Sequence, residues 1–377
     1  MEEINNQTNN LPENADVQLE EVTLQPEEAN LQTEQTDNDS LHGENLTERV
    51  KALSPGATVA KRFFRSKLSV IGLVTIIVLF LFAFVGPWIS PWGENDVDYS
   101  RAKPAVSGGI FDYEVDGEVY SGYTVVYDWT SNINDLDGVS SKHWMGTDNL
   151  GQDIFTRLMY GGRISLTLGF VVIILETILG VVLGGISGYF GGWVDNVIMR
   201  IVDLLSCIPT IPLMLIFGTA LNGLGFDTMP LAQYKLYIIM GVLTLIGWVG
   251  TARLVRGQIL SLREQEFMLA AKCSGLSTRS KIFKHLLPNV IPQLIVTMTL
   301  GLGGVILMEA TLGFLSIGAP PEMATWGSMI NFAQQLRYRQ FYPNMWIGAG
   351  VCITLAILAF NFVGDGLRDA FDPKMKR

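Results

Sequence analysis

Long apolar runs separated by polar segments make up most of this chain after residue 67. Leu68–Trp88 is uncharged throughout, and roughly 20 apolar residues in a helix cross the hydrocarbon core of a bilayer. Five further runs are similar in length, so the pattern predicts six membrane-spanning helices. The predicted spans are Leu68–Trp88, Leu166–Ile186, Val197–Leu221, Leu236–Leu254, Ile291–Ile317 and Met345–Val363.

Prolines and ionisable residues interrupt some of these runs. Pro209 and Pro212 predict a break in the third span, which neighbouring helices can accommodate. Carboxylates in an apolar context usually face the bundle interior or a pathway; here they are Glu176, Asp203 and Glu309. A simpler interpretation stays open for two of them. Asp203 could form an ion pair with Arg200, three residues earlier on the same helix. Glu309 could be solvated, because it lies near the end of its span.

Glycines recur on the predicted spans. Gly180, Gly184 and Gly188 follow one another at four-residue intervals in the second span. Small residues let helix backbones approach closely in lipid. We favour ordinary packing inside the bundle, and packing at a moving or subunit surface is the alternative.

The distribution of lysine and arginine predicts the orientation. With the N-terminus inside, the inside segments hold 18 of the 26 basic residues and the outside segments hold 8, and basic residues favour the cytoplasmic side. Both termini are therefore predicted to be cytoplasmic, and residues 91–163 are predicted to form an external loop subdomain. Within it, Gly117–Trp129 alternates tyrosine and valine with polar residues, which predicts a short β-hairpin.

The composition changes at the N-terminus. Of the 36 acidic residues, 13 fall within residues 1–48, which contain no lysine or arginine. The rest of the chain holds 36 − 13 = 23 acids against 26 bases, a net charge of +3, although the whole chain carries −10. Residues 1–48 are therefore predicted to be a disordered cytoplasmic tail, which is either a plain spacer or a docking segment.

Residues 49–90 combine a basic segment with the first span. Arg49–Lys67 mixes Val59, Phe63 and Phe64 with lysine and arginine. This segment is either a flank that only fixes topology or an interfacial elbow helix in contact with membrane lipid. Residues 164–377 are predicted to be a five-helix core with a cytoplasmic loop over residues 259–289.

Several chemistries have no support in the sequence. No G-x-x-x-x-G-K-[ST] motif is present, so no P-loop holds nucleotide phosphates. The histidines and cysteines are scattered, which argues against zinc, disulfide or triad chemistry, and no nucleic-acid-binding module is recognisable. A mean hydropathy of +0.31 with 16% charged residues favours a transport or channel subunit over a soluble enzyme. No cofactor is expected in this chain.

The most informative polar segment is Glu264–Asn289, EQEFMLAAKCSGLSTRSKIFKHLLPN. It predicts a helix, a break at Gly275, and a second helix with Ser277 as its N-cap and Pro288 as a stop. Its exposed small residues are Ala270, Ala271 and Gly275. A short helix with small side chains suits the cleft of a soluble partner and can push the two spans that it joins.

This segment resembles the EAA loop of ABC-importer permeases, in which E-A-A precedes a glycine and an I-x-L-P element. The positions in register are Ala270, Ala271, Gly275, Leu287 and Pro288. Leu269 stands where the family usually has glutamate, and Glu266 is one turn earlier. Four more segments resemble the C-type permease subunit of oligopeptide and dipeptide importers: Arg62–Val74, His143–Gly169, Met308–Gly327 and Leu358–Lys376.

The resemblance implies an all-α integral membrane protein with six transmembrane helices and the type I ABC-importer permease fold, in a bacterial cell membrane. It implies a homologous B-type permease, two ABC ATPase subunits that bind ATP and magnesium, an extracellular substrate-binding protein and a peptide cargo. ATP hydrolysis is then expected in the ATPase partners. The residues expected to couple to the ATPases are Glu266, Ala270, Ala271, Gly275, Leu276, Ser277 and Pro288. We assign Asp203, Met308 and Glu309 to the translocation pathway.

Other cargoes and other classes of protein stay open. The same scaffold suits dipeptides, nickel complexes, glutathione or sugars. A secondary transporter subunit would show an inverted repeat and an intramembrane ion site, and we find no convincing repeat between the spans. A membrane scaffold without a transport role would need no ATPase partner.

Overall fold

The computed structural model is a bundle of long helices interrupted by one β-hairpin. It describes residues 55–98, 105–115, 117–128, 138–226, 231–320 and 323–372; the predicted acidic tail, residues 1–48, lies outside the described residues. The helices are α1 (Pro55–Arg65), α2 (Lys67–Phe84), α3 (Gly86–Ile89), α4 (Ile154–Phe190), α5 (Gly192–Ser206), α6 (Thr210–Gly223), α7 (Ala232–Arg263), α8 (Glu266–Cys273), α9 (Thr278–Ser280), α10 (Leu287–Phe314), α11 (Trp326–Ile330), α12 (Leu336–Phe341) and α13 (Ile347–Phe371). The strands are β1 (Ala105–Val115) and β2 (Glu118–Asp128).

The membrane-spanning pattern predicted from the sequence is confirmed. Within the described ranges, five helical stretches are long and apolar enough to cross a membrane: Lys67–Phe84, Ile154–Phe190, Tyr234–Arg263, Thr278–Phe314 and Pro343–Phe371. Helices α5 and α6 together make a sixth, bent by 74°. The bend falls at the predicted break, because Pro209 has no N–H to continue α5 and α6 begins at the next residue.

Helix α4 begins earlier than the predicted second span. Asp153 caps it, since the Asp153 side chain accepts a hydrogen bond of 2.7 Å from the backbone N–H of Thr156. The predicted boundary between residues 163 and 164 therefore lies inside α4. The predicted loop over 259–289 likewise begins inside α7, which continues to Arg263.

The prediction that Pro288 ends a helix is wrong. A π-helical turn over Lys281–Leu286 leads without interruption into α10, where Pro288 lies in the first turn. Proline is tolerated at this position because the first N–H groups of a helix need no intrahelical acceptor. The π-turn widens the backbone just before the proline ring, where an α-helical carbonyl would clash with it.

The glycines of α4 bring its backbone against α7. A Cβ atom added at Gly180 would lie 2.6 Å from Cβ of Thr251, and one added at Gly188 would lie 2.9 Å from the carbonyl oxygen of Arg256. Between them, Gly184 faces the backbone of Ala252. The four-residue glycine spacing therefore serves packing inside this chain, as we favoured from the sequence.

Trp326 is at the centre of the largest apolar cluster. It is fully buried, and its indole N–H donates a 3.0 Å hydrogen bond to the carbonyl oxygen of Leu158 on α4. The cluster joins side chains of α2, α4, α10 and α13. The segment after α10 thus turns back into the bundle and closes one of its ends.

The two ends of the bundle differ. We call the end that holds α3 and residues 138–153 the insert end, and the opposite end, which holds α8, the α8 end. Helix α1 packs Phe63 against Val363 and Ala370 of α13 at the α8 end, and Arg62 donates a 3.0 Å hydrogen bond to the carbonyl oxygen of Asp372. The described part of the predicted elbow segment, from Pro55 onwards, is therefore helical and contacts α13, although Phe64 stays exposed.

The insert contains a β-hairpin, but it does not lie within Gly117–Trp129 as predicted: that run supplies only its second strand. β1 and β2 are antiparallel, with Val115 opposite Glu118 and Ala105 opposite Asp128. Gly117 in the turn has a φ of +84°, a left-handed conformation that glycine adopts without strain. The prediction of both strands inside that run is wrong, because its tyrosine and valine residues continue as one strand of 11 residues and pair with the preceding segment, Ala105–Val115.

Candidate functional site

The segment between α7 and α10 has the predicted helix–break–helix form. Helix α8 ends at Cys273, and Gly275 follows with a φ of +67°. Such a conformation favours glycine at the end of a helix. The Ser277 hydroxyl accepts a 3.3 Å hydrogen bond from the backbone N–H of Ser280, so the predicted N-cap is confirmed.

The residues predicted to couple to ATPases lie along one short segment, with different exposure. Exposed are Glu266, Ala270, Gly275, Ser277 and Pro288, Leu276 is half-buried, and Ala271 is buried. The two neighbouring alanines therefore differ: Ala270 is open to a partner, whereas Ala271 helps to hold the helix. Glu266 is in the first turn of α8, where a carboxylate stabilises the helix dipole.

One buried methionine fastens α8 to the rest of the bundle. Met268 is fully buried in a cluster with Val255 and Ile259 of α7 and Val290 and Leu294 of α10. Helix α8 is therefore close-packed against both long helices through this one side chain.

Arginines of α7 form a second link at the α8 end. The Arg256 guanidinium donates two hydrogen bonds of 2.5 Å to the carboxylate of Asp195 on α5, and Ser187 of α4 donates a third, also 2.5 Å. Arg263 donates a 3.0 Å hydrogen bond to the carbonyl oxygen of Tyr189. The ends of α4, α5 and α7 are therefore held as one unit beside α8.

A groove lies next to α8. Its volume is about 520 Å³, and it is lined by Tyr189, Phe190, Arg263, Glu264, Gln265, Leu269 and Lys272. Leu269 occupies the position where the EAA pattern has glutamate, and its side chain is 61% exposed. The groove wall is therefore apolar at the point where an ionic contact is expected.

The three residues assigned to the pathway lie in different surroundings. Asp203 is exposed and pairs at 3.1 Å with Arg253 of α7, so the proposed pair with Arg200 is wrong. The reason is that the Asp203 side chain faces α7, where Arg253, 50 residues later in the sequence, is within ion-pair distance. Met308 is half-buried and lines a cavity of about 230 Å³ between α4, α7 and α10.

Glu309 is inside the bundle. It is 7% exposed, and its Oε2 atom accepts a 2.9 Å hydrogen bond from the hydroxyl of Ser165 on α4. The same hydroxyl accepts a 3.2 Å bond from the backbone N–H of Trp326. The alternative that Glu309 is solvated is therefore wrong, and its carboxylate joins α4, α10 and the segment that closes the insert end.

A buried polar network at the insert end was not foreseen from the sequence. His143 is fully buried, with its Nδ1 atom 2.8 Å from Asp153 and its Nε2 atom 3.1 Å from Asp98. Trp92 stacks on the imidazole ring at 4.7 Å. The closely spaced histidine, aspartates and glycines of His143–Asp153 were the available signal. Their role is to hold the start of α4.

Asp148 belongs to the same loop. Its carboxylate accepts backbone hydrogen bonds of 2.8 Å from Leu150 and 2.9 Å from Gln152, and lies 3.7 Å from Arg157. Burial raises the pKa of Asp148 above its ordinary value, and the Arg157 charge offsets part of that rise. Asp148, Leu150 and Arg157 line part of a cavity of about 360 Å³.

The comparisons with known proteins agree with this architecture. The family described as "Binding-protein-dependent transport system inner membrane component" matches residues 180–377, and the family described as "N-terminal TM domain of oligopeptide transport permease C" matches residues 54–104. The chain belongs to the binding-protein-dependent permeases. It is therefore a multi-pass membrane protein with the permease fold of ABC importers, and it acts as a permease subunit.

Three relatives illustrate the similarity of this permease to curated proteins. The oligopeptide permease OppC of Bacillus subtilis is 35% identical over 87% of this chain and 92% of its own. The dipeptide permease DppC of Alkalihalophilus pseudofirmus is 38% identical over 86% of this chain and 92% of its own. The glutathione permease GsiD of Pectobacterium atrosepticum is 36% identical over 76% of this chain and 92% of its own.

Proposed function

We propose that this permease forms half of a pathway for oligopeptides and that its partner is a homologous B-type permease. Relatives named for oligopeptide and dipeptide transport match most of the chain, which supports a peptide cargo. Dipeptides are the nearest alternative. A glutathione permease is 36% identical over 76% of the chain, so glutathione is the second alternative.

Two ABC ATPases are the proposed source of energy. They bind ATP and magnesium, and ATP hydrolysis takes place in them. One of them docks on α8 and the adjoining groove. The observation that carries this assignment is that α8 has two different sides. Its outer surface is exposed, and its Met268 side chain packs against α7 and α10. ATPase closure has to favour one permease conformation over the other, because only differential binding shifts an equilibrium.

The α8 end is proposed to face the cytoplasm, with the hairpin and residues 138–153 outside. The bias of basic residues supports this orientation. Helix α1 and the end of α13 meet at the α8 end, so both described termini share that side. An extracellular substrate-binding protein then delivers peptide at the insert end.

The docking assignment is tested by an arginine placed on α8. Leu269 is 61% exposed and lines the groove, whereas Val139 is 73% exposed at the insert end. We expect Leu269→Arg to release the ATPases and abolish peptide uptake, because a bulky charge enters an apolar contact. Val139→Arg should leave ATPase binding intact.

Both variants are purified with all partner subunits, and ATPase retention, ATP hydrolysis and uptake of a labelled peptide in liposomes are measured. If Leu269→Arg retains the ATPases and takes up peptide like wild type, the assignment of α8 is wrong. Failure of wild-type liposomes to take up any peptide, with the ATPases bound, would reject the cargo instead.

A further inference from the structure

A buried carboxylate faces a cavity in the middle of the bundle. Glu176 lies on α4, 22 residues after its first residue and 14 before its last, about 21 Å from the α8 end at 1.5 Å per residue. Its side chain is 8% exposed and lines the 230 Å³ cavity between α4, α7 and α10. The sequence pattern left Glu176 between the bundle interior and a pathway, and the coupling segment gives it no role.

The carboxylate has no partner among the residues around it. The described part of the chain donates no hydrogen bond to Glu176 and places no ion pair on it. The lining is Val172, Ile173, Glu176, Thr210, Leu243, Ile246, Gly247, Gly301, Gly304, Val305 and Met308. Glu176 is the one charged residue in that lining, and Thr210 supplies its other side-chain oxygen. An ionisable group at this depth is expensive and usually functional.

The surrounding glycines leave space for the Glu176 carboxylate and for a ligand group beside it. A Cβ atom added at Gly247 would overlap the carboxylate oxygens of Glu176. A Cβ atom added at Gly304 would meet nothing within 4 Å, so the cavity stays open in front of α10. Its volume is below that of ordinary small-molecule pockets, about 300–1,000 Å³, so it admits one end of a peptide and not a whole one.

We propose that Glu176 binds the α-ammonium group of the transported peptide as its first residue enters this cavity. The inference rests on the proposed peptide cargo. A carboxylate and a hydroxyl that line the same cavity among apolar side chains are complementary to an ammonium group attached to an apolar residue. Within the membrane, the ammonium group of the peptide neutralises the negative charge of the Glu176 carboxylate, which no described cationic side chain of this permease pairs with.

Uptake by the assembled transporter tests the proposal. The complex with the partner permease, ATPases and binding protein is reconstituted in liposomes, and uptake of a labelled tripeptide is measured. Loss of a charge-assisted hydrogen bond lowers affinity about tenfold or more, so Glu176→Gln should lower uptake to that extent, and Glu176→Asp should restore part of it. ATPase binding should stay unchanged in both variants.

Two alanine substitutions on α7 form a matched pair. Gly247→Ala displaces the Glu176 carboxylate, whereas a Cβ atom added at Gly250 meets nothing within 4 Å. We expect uptake to fall in Gly247→Ala and to stay at the wild-type rate in Gly250→Ala.

A direct test needs no substitution that affects folding. During turnover, a hydrophobic carbodiimide activates a buried carboxylate, and an amine in contact with it then forms an amide while the carbodiimide leaves as the urea. Mass spectrometry should find the tripeptide joined through its α-nitrogen to Glu176. Uptake by Glu176→Gln within about twofold of wild type, or no adduct at Glu176 in liposomes that take up peptide, would overturn the proposal. Absence of uptake by the wild type would reject the peptide cargo instead.

Discussion

Arg256 of α7 holds Asp195 of α5 through two parallel hydrogen bonds of 2.5 Å. Among basic side chains, only the planar guanidinium group of arginine forms this bidentate contact with a carboxylate. Since Ser187 of α4 binds the same carboxylate, one ion pair joins three helices next to α8. The ion pair thus links α5 to α7, the helix against which Met268 of α8 packs.

We predict a measurable coupling energy between Arg256 and Asp195. A double-mutant cycle with Arg256→Ala and Asp195→Ala in the assembled transporter should give about 1–2 kcal/mol, allowing for screening of partly exposed charges. Thermal unfolding of the purified complex provides the free energies. The Arg253–Asp203 pair is the control: both side chains are about half-exposed or more, at 47% and 62%, so its coupling energy should be below about 0.5 kcal/mol. Equal values for the two pairs would contradict the prediction.

A second prediction concerns the contact between α4 and α7. Gly184→Ala should destabilise the permease by about 1–3 kcal/mol, because the added methyl group overlaps the backbone of Ala252. The neighbouring Gly185→Ala is the control, since its Cβ atom would lie 3.7 Å from Ile259 and alanine favours the helix by up to about 1 kcal/mol. Thermal unfolding in detergent measures both. Similar losses of stability in the two variants would contradict the prediction that the backbone of Ala252 leaves no space for a methyl group at residue 184.

Much of the bundle could be predicted from the sequence, because long apolar runs and backbone breakers act locally. The bend at Pro209 and the turn at Gly275 both follow from the conformations that those residues allow. Pro288 was misjudged because its effect depends on its place in the helix: after a π-turn it starts a helix as easily as it ends one.

Side-chain partners were harder to predict, because they come from distant parts of the chain. Asp203 looked like a partner for Arg200 on its own helix but pairs with Arg253 of α7. For Glu309, solvation near the end of its predicted span stayed open as an alternative to the bundle interior, yet Ser165 of α4 donates a hydrogen bond to it inside the bundle. Neither partner can be read from local spacing.

The turn at Gly275 gives a third prediction. Its φ of +67° lies in the left-handed region, which costs most residues about 1–2 kcal/mol and which aspartate and asparagine adopt more readily; an added Cβ atom would meet nothing within 4 Å. Gly275→Asp should therefore leave the spans inserted but release the ATPases or uncouple hydrolysis from uptake. Gly275→Asn adds similar strain without charge and should have a smaller effect.

Gly138→Asp provides the matching charge at the insert end, where a Cβ atom also meets nothing within 4 Å and φ is unstrained. Membrane insertion, ATPase retention, ATP hydrolysis and peptide uptake are measured for all three variants. Wild-type uptake in Gly275→Asp would contradict a coupling role for this turn.

The last prediction concerns Asp148 and pH. Burial raises its pKa in the folded protein above the ordinary value, so the folded state holds the proton at pH values where the unfolded state has released it. An acid with a raised pKa therefore favours folding at low pH and loses that contribution as the pH rises through the folded pKa.

Asp148→Asn keeps an acceptor for the backbone N–H groups of Leu150 and Gln152 but cannot ionise. We expect wild type to gain stability relative to this variant as the pH falls from neutral towards the ordinary range for aspartate. A stability difference between wild type and Asp148→Asn that is constant with pH, measured by thermal unfolding, would mean that this carboxylate does not bind a proton on folding.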